Sequence, residues 1–345
     1  MKKNLLIIAI CIVAIFLLHI TVELFLPAQG RDTYHEIEIP KKTTFREAVD
    51  ILGDAKLIRD KNILLALGRI SGIDKKLSPG FYSIWGSMSP FAIFKALRDG
   101  QIIEYKIRVK EGDSIFDIAD TFAEIGLLSK GDFIEMSKDP HFLSRYNIAS
   151  ESIEGYLYPD TYKVPKGISA SDTIGMMINR MREQYSGQLL ARTEELGMTV
   201  NEILTLASII EKEAVLDSER ALISAVYHNR LNMKMKLQAD PTAIYGVKSS
   251  RRKITRADLL RKTPYNTYAF EGLPPGPIAS PTVKSIVAAL YPANVSYLYF
   301  VSKDDIRHHF STTGEEHLNA VRFYREKRKE LEDETAVSEP DENTS

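Results

Sequence analysis

Lys2 and Lys3 precede an apolar run from Leu5 to Leu18 that continues to Leu26, with His19, Thr21 and Glu23 as its polar interruptions. A bilayer-spanning helix needs about 20 such residues and a cleaved export signal about 7–15, so the length favours a retained anchor over residues 5–26. The nearest approach to a small-x-small cleavage site is Leu26-Pro-Ala-Gln-Gly30, which would instead make the segment a signal peptide. Two lysines ahead of the run hold the first four residues inside, so everything after Leu26 is expected outside the membrane. The sole cysteine, Cys11, lies within the run, where it reads as a soft residue facing lipid. A lipid-anchor reading is poor, because Ile10 stands where a small residue belongs. No disulfide or thiolate chemistry is then available to the exported part.

The 345 residues suffice for two domains, and 44% hydrophobic with 26% charged residues is ordinary for folded protein. A formal net charge of -1 gives no electrostatic basis for nucleic-acid binding. Residues 332–345 hold six acids and almost no apolar mass, the composition of a disordered acidic tail.

After the apolar run, His35-Glu-Ile-Glu-Ile39 alternates as a strand does, and Thr43-Thr-Phe-Arg-Glu47 opens a helix reaching Leu52. The pattern returns 70 residues later. Ile37 and Ile39 match Ile107 and Val109, Phe45 matches Ile115, Leu57 and Ile58 match Leu127 and Leu128, and Ile63 matches Phe133. Both copies carry N-cap residues before the helix, Thr43-Thr44 and Asp113-Ser114. Between them a strand is expected around Phe81 to Trp85 and a helix from Ser89 to Arg98. These small α+β units carry no cluster of reactive groups and read as binding or spacing modules, or as a scaffold for the next domain. Ser152 to Tyr162 then concentrates tyrosines beside turns, suited to sugar faces and to an ordinary core alike. One helix is expected from about Ser171 to Leu196, ending at Gly197.

The most unusual segment begins just after it. Thr199 and Glu202 form a Thr-x-x-Glu capping box, and Ile203, Ala207, Ile210 and Ala214 mark the buried face of the helix they start. At about 100° per residue, Glu211 and Glu213 fall on opposite flanks, each about 80° from the centre of that face. A carboxyl at such an edge is desolvated and stays protonated more readily, as a general acid must. Periodicity alone leaves both candidates open. Small Ala207 one turn before Glu211 leaves room for a ligand, with Ser208 nearby, whereas Ile209 fills the space before Glu213. Lys212 and Arg220 offer Glu213 a structural ion pair, so the balance favours Glu211.

A second helix is expected from Asp217 or Ser218 through Tyr227-His-Asn-Arg-Leu231, leading into a loop from Lys236 to Gly246. Pro264-Tyr-Asn-Thr-Tyr268 and Gly272-Leu-Pro-Pro-Gly276 read as stiff polar loops, which bind a long polar ligand at lower entropic cost, or as plain turns. Val295 to Val301 reads as a strand that can pair with Arg307 to Thr313. His308, His309 and His317 match no usual metal-ligand spacing, so no metal is expected.

Ala207-Ser-Ile-Ile-Glu-Lys-Glu213, Leu237-Gln-Ala-Asp-Pro-Thr-Ala-Ile-Tyr-Gly246, Tyr265-Asn-Thr-Tyr268, Gly272-Leu-Pro-Pro-Gly276, Tyr297-Leu-Tyr-Phe-Val301 and, upstream of them, Ile153-Glu-Gly-Tyr-Leu-Tyr-Pro-Asp-Thr161 are separate motifs along the chain. Together they resemble the membrane-anchored endolytic murein transglycosylases, the YceG-like or MltG family, over nearly the whole chain after the anchor. The resemblance implies an α+β protein: a cytoplasmic start (1–4), the anchor (5–26), a LysM-like region (35–165), a lysozyme-like, Slt-type catalytic domain (166–331) and the tail (332–345). It places the catalytic glutamate on Glu211 and implies substrate contacts from Ser208, Glu213, Gln238, Asp240, Tyr245, Tyr265, Asn266, Thr267, Tyr268 and Tyr299. No cofactor is implied. The expected partners are peptidoglycan strands, peptidoglycan synthases and the cytoplasmic membrane. The reaction needs one carboxyl, which protonates the glycosidic oxygen and then deprotonates the C6 hydroxyl of the same N-acetylmuramyl residue, leaving a 1,6-anhydro end. Ala214 and Ser311 depart from the family pattern, where threonine and asparagine are usual. A non-catalytic glycan-binding scaffold and a hydrolytic muramidase are the competing readings.

Overall fold

The computed structural model describes residues 2–73, 77–247, 254–304 and 306–338. It is a mixed α+β protein with one N-terminal apolar helix and three two-stranded sheets among the described residues. The chain divides into two compact units, Met1–Lys106 with Lys163–Ser169, and Ile107–Tyr162 with Ala170–Ser345.

The first unit opens with α1 (Lys2–Phe25), long and apolar enough to cross a membrane. β1 (Tyr34–Ile39) pairs antiparallel with β2 (Gly80–Trp85), in a register that sets Ile37 against Tyr82 and Ile39 against Gly80. Alternation sends Ile37 and Ile39 to one face of this ribbon. There they pack with Tyr82 and Ile84, and with Phe45, Val49 and Leu52 of α2 (Phe45–Asp54), Leu64 of α3 (Lys61–Ser71) and Phe94 and Leu97 of α4 (Pro90–Arg98). Ser89 caps α4 by accepting from the Ala92 N–H, with Pro90 in the first turn.

The 70-residue repeat is real at the level of backbone. β3 (Glu104–Arg108) precedes α5 (Ile115–Glu124), which is ten residues long like α2 and begins 70 positions after it. Both helices start with a reciprocal capping box, Thr44 with Glu47 and Ser114 with Asp117. The matching of Ile63 to Phe133 needs correction. The N-caps of α3 and of α6 (Lys130–Met136) are Asp60 and Ser129, 69 apart, and the buried partner of Phe133 is Leu64. One residue is missing from the second connection. α7 (Pro140–Arg145) is an insertion, and β4 (Thr161–Pro165) then pairs with β3, so each copy closes with a strand as well as opening with one. The boundary expected after residue 165 is displaced, because 107–162 cluster with the rest of the second unit.

In the second unit the helix expected from Ser171 to Leu196 is two. α8 (Ala170–Gln184) stops, Gly187 turns the chain at φ 55°, and α9 (Gln188–Glu195) resumes. α10 (Val200–Glu213) is buried along most of its length and packs against α11 (Arg220–Asn232), the short α12 (Asp240–Ile244) and α14 (Val283–Leu290), with α13 (Arg256–Leu260) before the last. The expected hairpin forms between β5 (Tyr299–Ser302) and β6 (His308–Ser311). α15 (Gly314–Ser338) runs into the stretch expected to be a disordered tail, and 339–345 lie outside the described residues.

Phe122 of α5 is fully buried with its ring 4.8 Å from Phe133. Phe122→Ala should cost about 3–5 kcal/mol, read as a lowered urea midpoint with an unchanged slope.

Candidate active site

The capping box expected at the start of α10 is present. Glu202 accepts from the Thr199 N–H at 2.7 Å, and Thr199 accepts from the Glu202 N–H at 3.2 Å. From there Ile203 to Glu211 are all buried, which is why the last turn decides the chemistry.

Glu211 points inward. Its side chain is 3% exposed, one oxygen lies 3.1 Å from the Arg220 guanidinium, and the other accepts from the Thr282 N–H at 2.8 Å and the Thr282 hydroxyl at 2.7 Å. Arg220, itself 7% exposed, also donates to Asp217 and to Ser285 of α14. Both carboxylate oxygens are thus committed to a buried ion pair and to the residue that starts α14. Ala207 is fully buried, so the space beside its small side chain is interior and not open to a ligand. The geometry weighs against Glu211 as the acid: Arg220, expected near Glu213, pairs with Glu211 instead.

Glu213 has no ion-pair partner among the described residues and is half-buried. The Tyr227 hydroxyl donates to it at 3.4 Å, and the Asp240 backbone N–H donates as well. Burial, followed by the negative charge of Asp240, pushes its pKa up to about 8. Asp240 is exposed and accepts from the Tyr268 hydroxyl at 2.5 Å. Close by, Arg230 lies with its guanidinium carbon 5.1 Å from the centre of the Tyr299 ring and donates to Leu298 O at 2.7 Å, Leu237 O at 2.8 Å and Gln238 Oε1 at 3.4 Å. Glu213, Gln238, Asp240, Tyr268 and Tyr299 are therefore brought together, with Tyr227 and Arg230 as members that spacing missed. Tyr227-His-Asn-Arg230 is a polar run inside a helix. Its Asn229 also holds Val295 O and Tyr297 O, and His228 holds Ala289 O.

The other expected contacts are elsewhere. Ser208 is fully buried, donating to Thr205 O and accepting from the Ile278 N–H. Asn266 spends its amide on the carbonyls of Leu259 and Arg261, and Thr267 bonds Thr242 and the Ala239 N–H. These three side chains are buried and hold backbone segments in place. Tyr245 and Tyr265 form a separate group with ring centres 4.6 Å apart. Tyr245 donates at 2.8 Å to Glu154, a 1% exposed carboxyl that also accepts from the Ile115 N–H and whose burial raises its pKa to about 7. Beside this group is a cavity of about 280 Å³ lined by Phe116, Asp117, Lys212, Ile244 and Tyr245 among others. Gly155, next to Glu154, has φ 77°, and a Cβ there would lie 2.3 Å from Pro277. Of the histidines, His308 is held by Glu219 at 2.7 Å and His317 stacks on Tyr299 at 5.2 Å.

Residues 37–323 match the sequence profile of the YceG-like family. The chain belongs to that family. It is 31% identical over 304 residues to the endolytic murein transglycosylase of Bacillus subtilis, covering 84% of each chain. It is 28% identical over 300 residues to the endolytic murein transglycosylase of Streptococcus pneumoniae (strain D39), covering 78% of this chain and 54% of that one. A crystal structure of a YceG-like protein from Listeria monocytogenes is similar with a TM-score of 0.59 at 32% identity, covering 83% of this chain and 98% of the other.

Breaking one side of a buried ion pair leaves the other charge stranded. Glu211→Gln should therefore lower unfolding free energy by about 3–5 kcal/mol in urea titration. A Glu211→Gln protein as stable as the parent would contradict the structural role.

Proposed function

We propose that this chain is a membrane-anchored endolytic murein transglycosylase whose general acid is Glu213. The observation that carries the assignment is the contrast on one helix: Glu211 is neutralised by Arg220, whereas Glu213 has no cation among the described residues, is half-buried and faces Asp240. With its pKa near 8, Glu213 holds a proton at neutral pH. It gives that proton to the oxygen joining C1 of N-acetylmuramate to C4 of N-acetylglucosamine, and the C1–O bond breaks. The resulting carboxylate takes the proton of the C6 hydroxyl on the same muramyl residue as that oxygen bonds to C1. No water is consumed, and one carboxyl serves both steps.

The negative charge of Asp240, which accepts from the Tyr268 hydroxyl, favours the protonated form of Glu213 before cleavage. The exposed Gln238 amide and the half-buried Tyr268 and Tyr299 rings offer hydrogen bonds and stacking faces to the glycan. Residues 35–165, with two strand–helix–helix–strand copies, fit LysM-like glycan-binding modules, and the helical second unit fits a lysozyme-like catalytic domain. With α1 as anchor and Lys2 and Lys3 inside, both act on strands at the outer face of the cytoplasmic membrane, where peptidoglycan synthases deliver them.

The second carboxylate at Asp240 favours one rival, a hydrolytic muramidase, since hydrolases use two. Mass spectrometry of digested glycan separates the two: 1,6-anhydro ends for the transglycosylase, reducing ends for the hydrolase. Glu213→Gln should lower release of anhydro-ended products by roughly 10²–10⁴-fold. Unchanged release from the folded variant would overturn the assignment. The raised pKa also fixes a sign. Between the ordinary carboxylate range and about pH 8 the folded state binds a proton that the unfolded state has lost, so the wild-type fold loses stability as pH rises through that window. Glu213→Gln should abolish that slope and be the more stable protein at pH 8.

A further inference from the structure

On the first unit, α3 is apolar on two sides. Leu64 and Gly68 face the core and Leu67 flanks them, partly buried against it, while Ile63, Ala66 and Ile70 recur at i, i+3 and i+7 on the outer side, with Ile70 86% exposed. This stripe forms one wall of a groove of about 470 Å³ whose other wall is Phe16, Ile20 and Leu24 of α1. The two walls are tied together. Arg59, just before α3, donates to Glu23, to Leu26 O at 3.2 Å and to Pro27 O at 3.0 Å, and Phe25 packs on Phe91 of α4 at 5.3 Å.

The repeat supplies an internal control. With α3 and α6 aligned on their N-caps, the positions of Ile63 and Ala66 are occupied in α6 by Asp132 and Glu135, both exposed. The fold of the unit therefore does not require an apolar outer stripe.

We infer that the outer stripe of α3 is a membrane-docking face that seats the first unit in the acyl–headgroup boundary of the bilayer crossed by α1. Lipid is the occupant because the stripe is continuous with the apolar surface of α1, which is exposed from Lys2 to His19 and only partly buried beyond it. Apolar faces of this kind settle about 5–10 Å into the boundary. The polar residues beside the stripe, Asn62 and Arg69, are exposed where headgroups would meet them. The consequence is mechanical: the unit is fixed at the membrane surface and not free to swing on a linker, so glycan is met close to where it leaves the bilayer. The inference rests on α1 being a retained anchor.

The test uses the full chain in a Cys11→Ser background, reconstituted in phosphatidylethanolamine–phosphatidylglycerol vesicles without other protein. Single cysteines from Phe16→Cys, Ile70→Cys and Lys41→Cys carry an environment-sensitive fluorophore; Ile70 and Lys41 are exposed, so neither change threatens folding. Quenching by nitroxide-labelled lipid should be several-fold stronger at positions 16 and 70 than at 41, and quenching by aqueous iodide several-fold weaker. If position 70 behaves like 41 while 16 is quenched by lipid, the anchor stands and the docking face is refuted, leaving the stripe for a protein partner. If 16 also behaves like 41, the anchor reading fails and the docking face with it.

Discussion

The buried pair between Glu211 and Arg220 is the interaction on which the second unit depends. It ties the last turn of α10 to the first turn of α11, and through Thr282 and Ser285 to the start of α14. Two charges removed from water are tolerated because every oxygen of Glu211 has a donor and because Arg220 has further acceptors. With that turn fixed, Glu213 is fixed too. Two residues on, it is carried about 200° around the helix, to the side where α12 begins and Tyr227 looks across.

The same helix therefore runs two opposed electrostatic designs within three residues. On one side a carboxylate is compensated and inert. On the other a carboxyl has no cation among the described residues and is partly desolvated and set against a second carboxylate, an arrangement that weakens the fold as the pH rises and suits proton transfer to a sugar oxygen. Strain of this kind at one place and compensation at another is what a functional site on a stable scaffold requires. The α11 helix does the compensating: Tyr227 reaches Glu213, Asn229 and Arg230 pin the segment leading into β5, and His228 caps the end of α14.

The existence of the site helix, its capping box, the anomaly of its two glutamates and the 70-residue repeat were all legible in residue spacing. Those features are local, governed by 3.6-residue periodicity and by N-cap chemistry. The choice between Glu211 and Glu213 was not legible, because the two are symmetric about the buried face and the deciding partners lie 9 and 71 positions away. Ala207 misled for a related reason: a small side chain marks close approach, and what approaches closely is protein. Asn266 and Thr267 look like ligand groups, but Asn266 satisfies backbone carbonyls of its own loop and Thr267 the backbone of a loop 28 positions away. The strand closing the second repeat was hidden by the insertion of α7, and the break at Gly187 by a helical pattern that continues on both sides of it.

The central claim is that Glu213 carries a proton at neutral pH while sharing a helix turn with a neutralised glutamate. Titration of its side-chain carboxyl carbon by ¹³C NMR, assigned by difference with Glu213→Gln, measures this directly. A midpoint near pH 8 that falls in Asp240→Asn is the expected result. A midpoint in the ordinary carboxylate range, indifferent to Asp240, would contradict it.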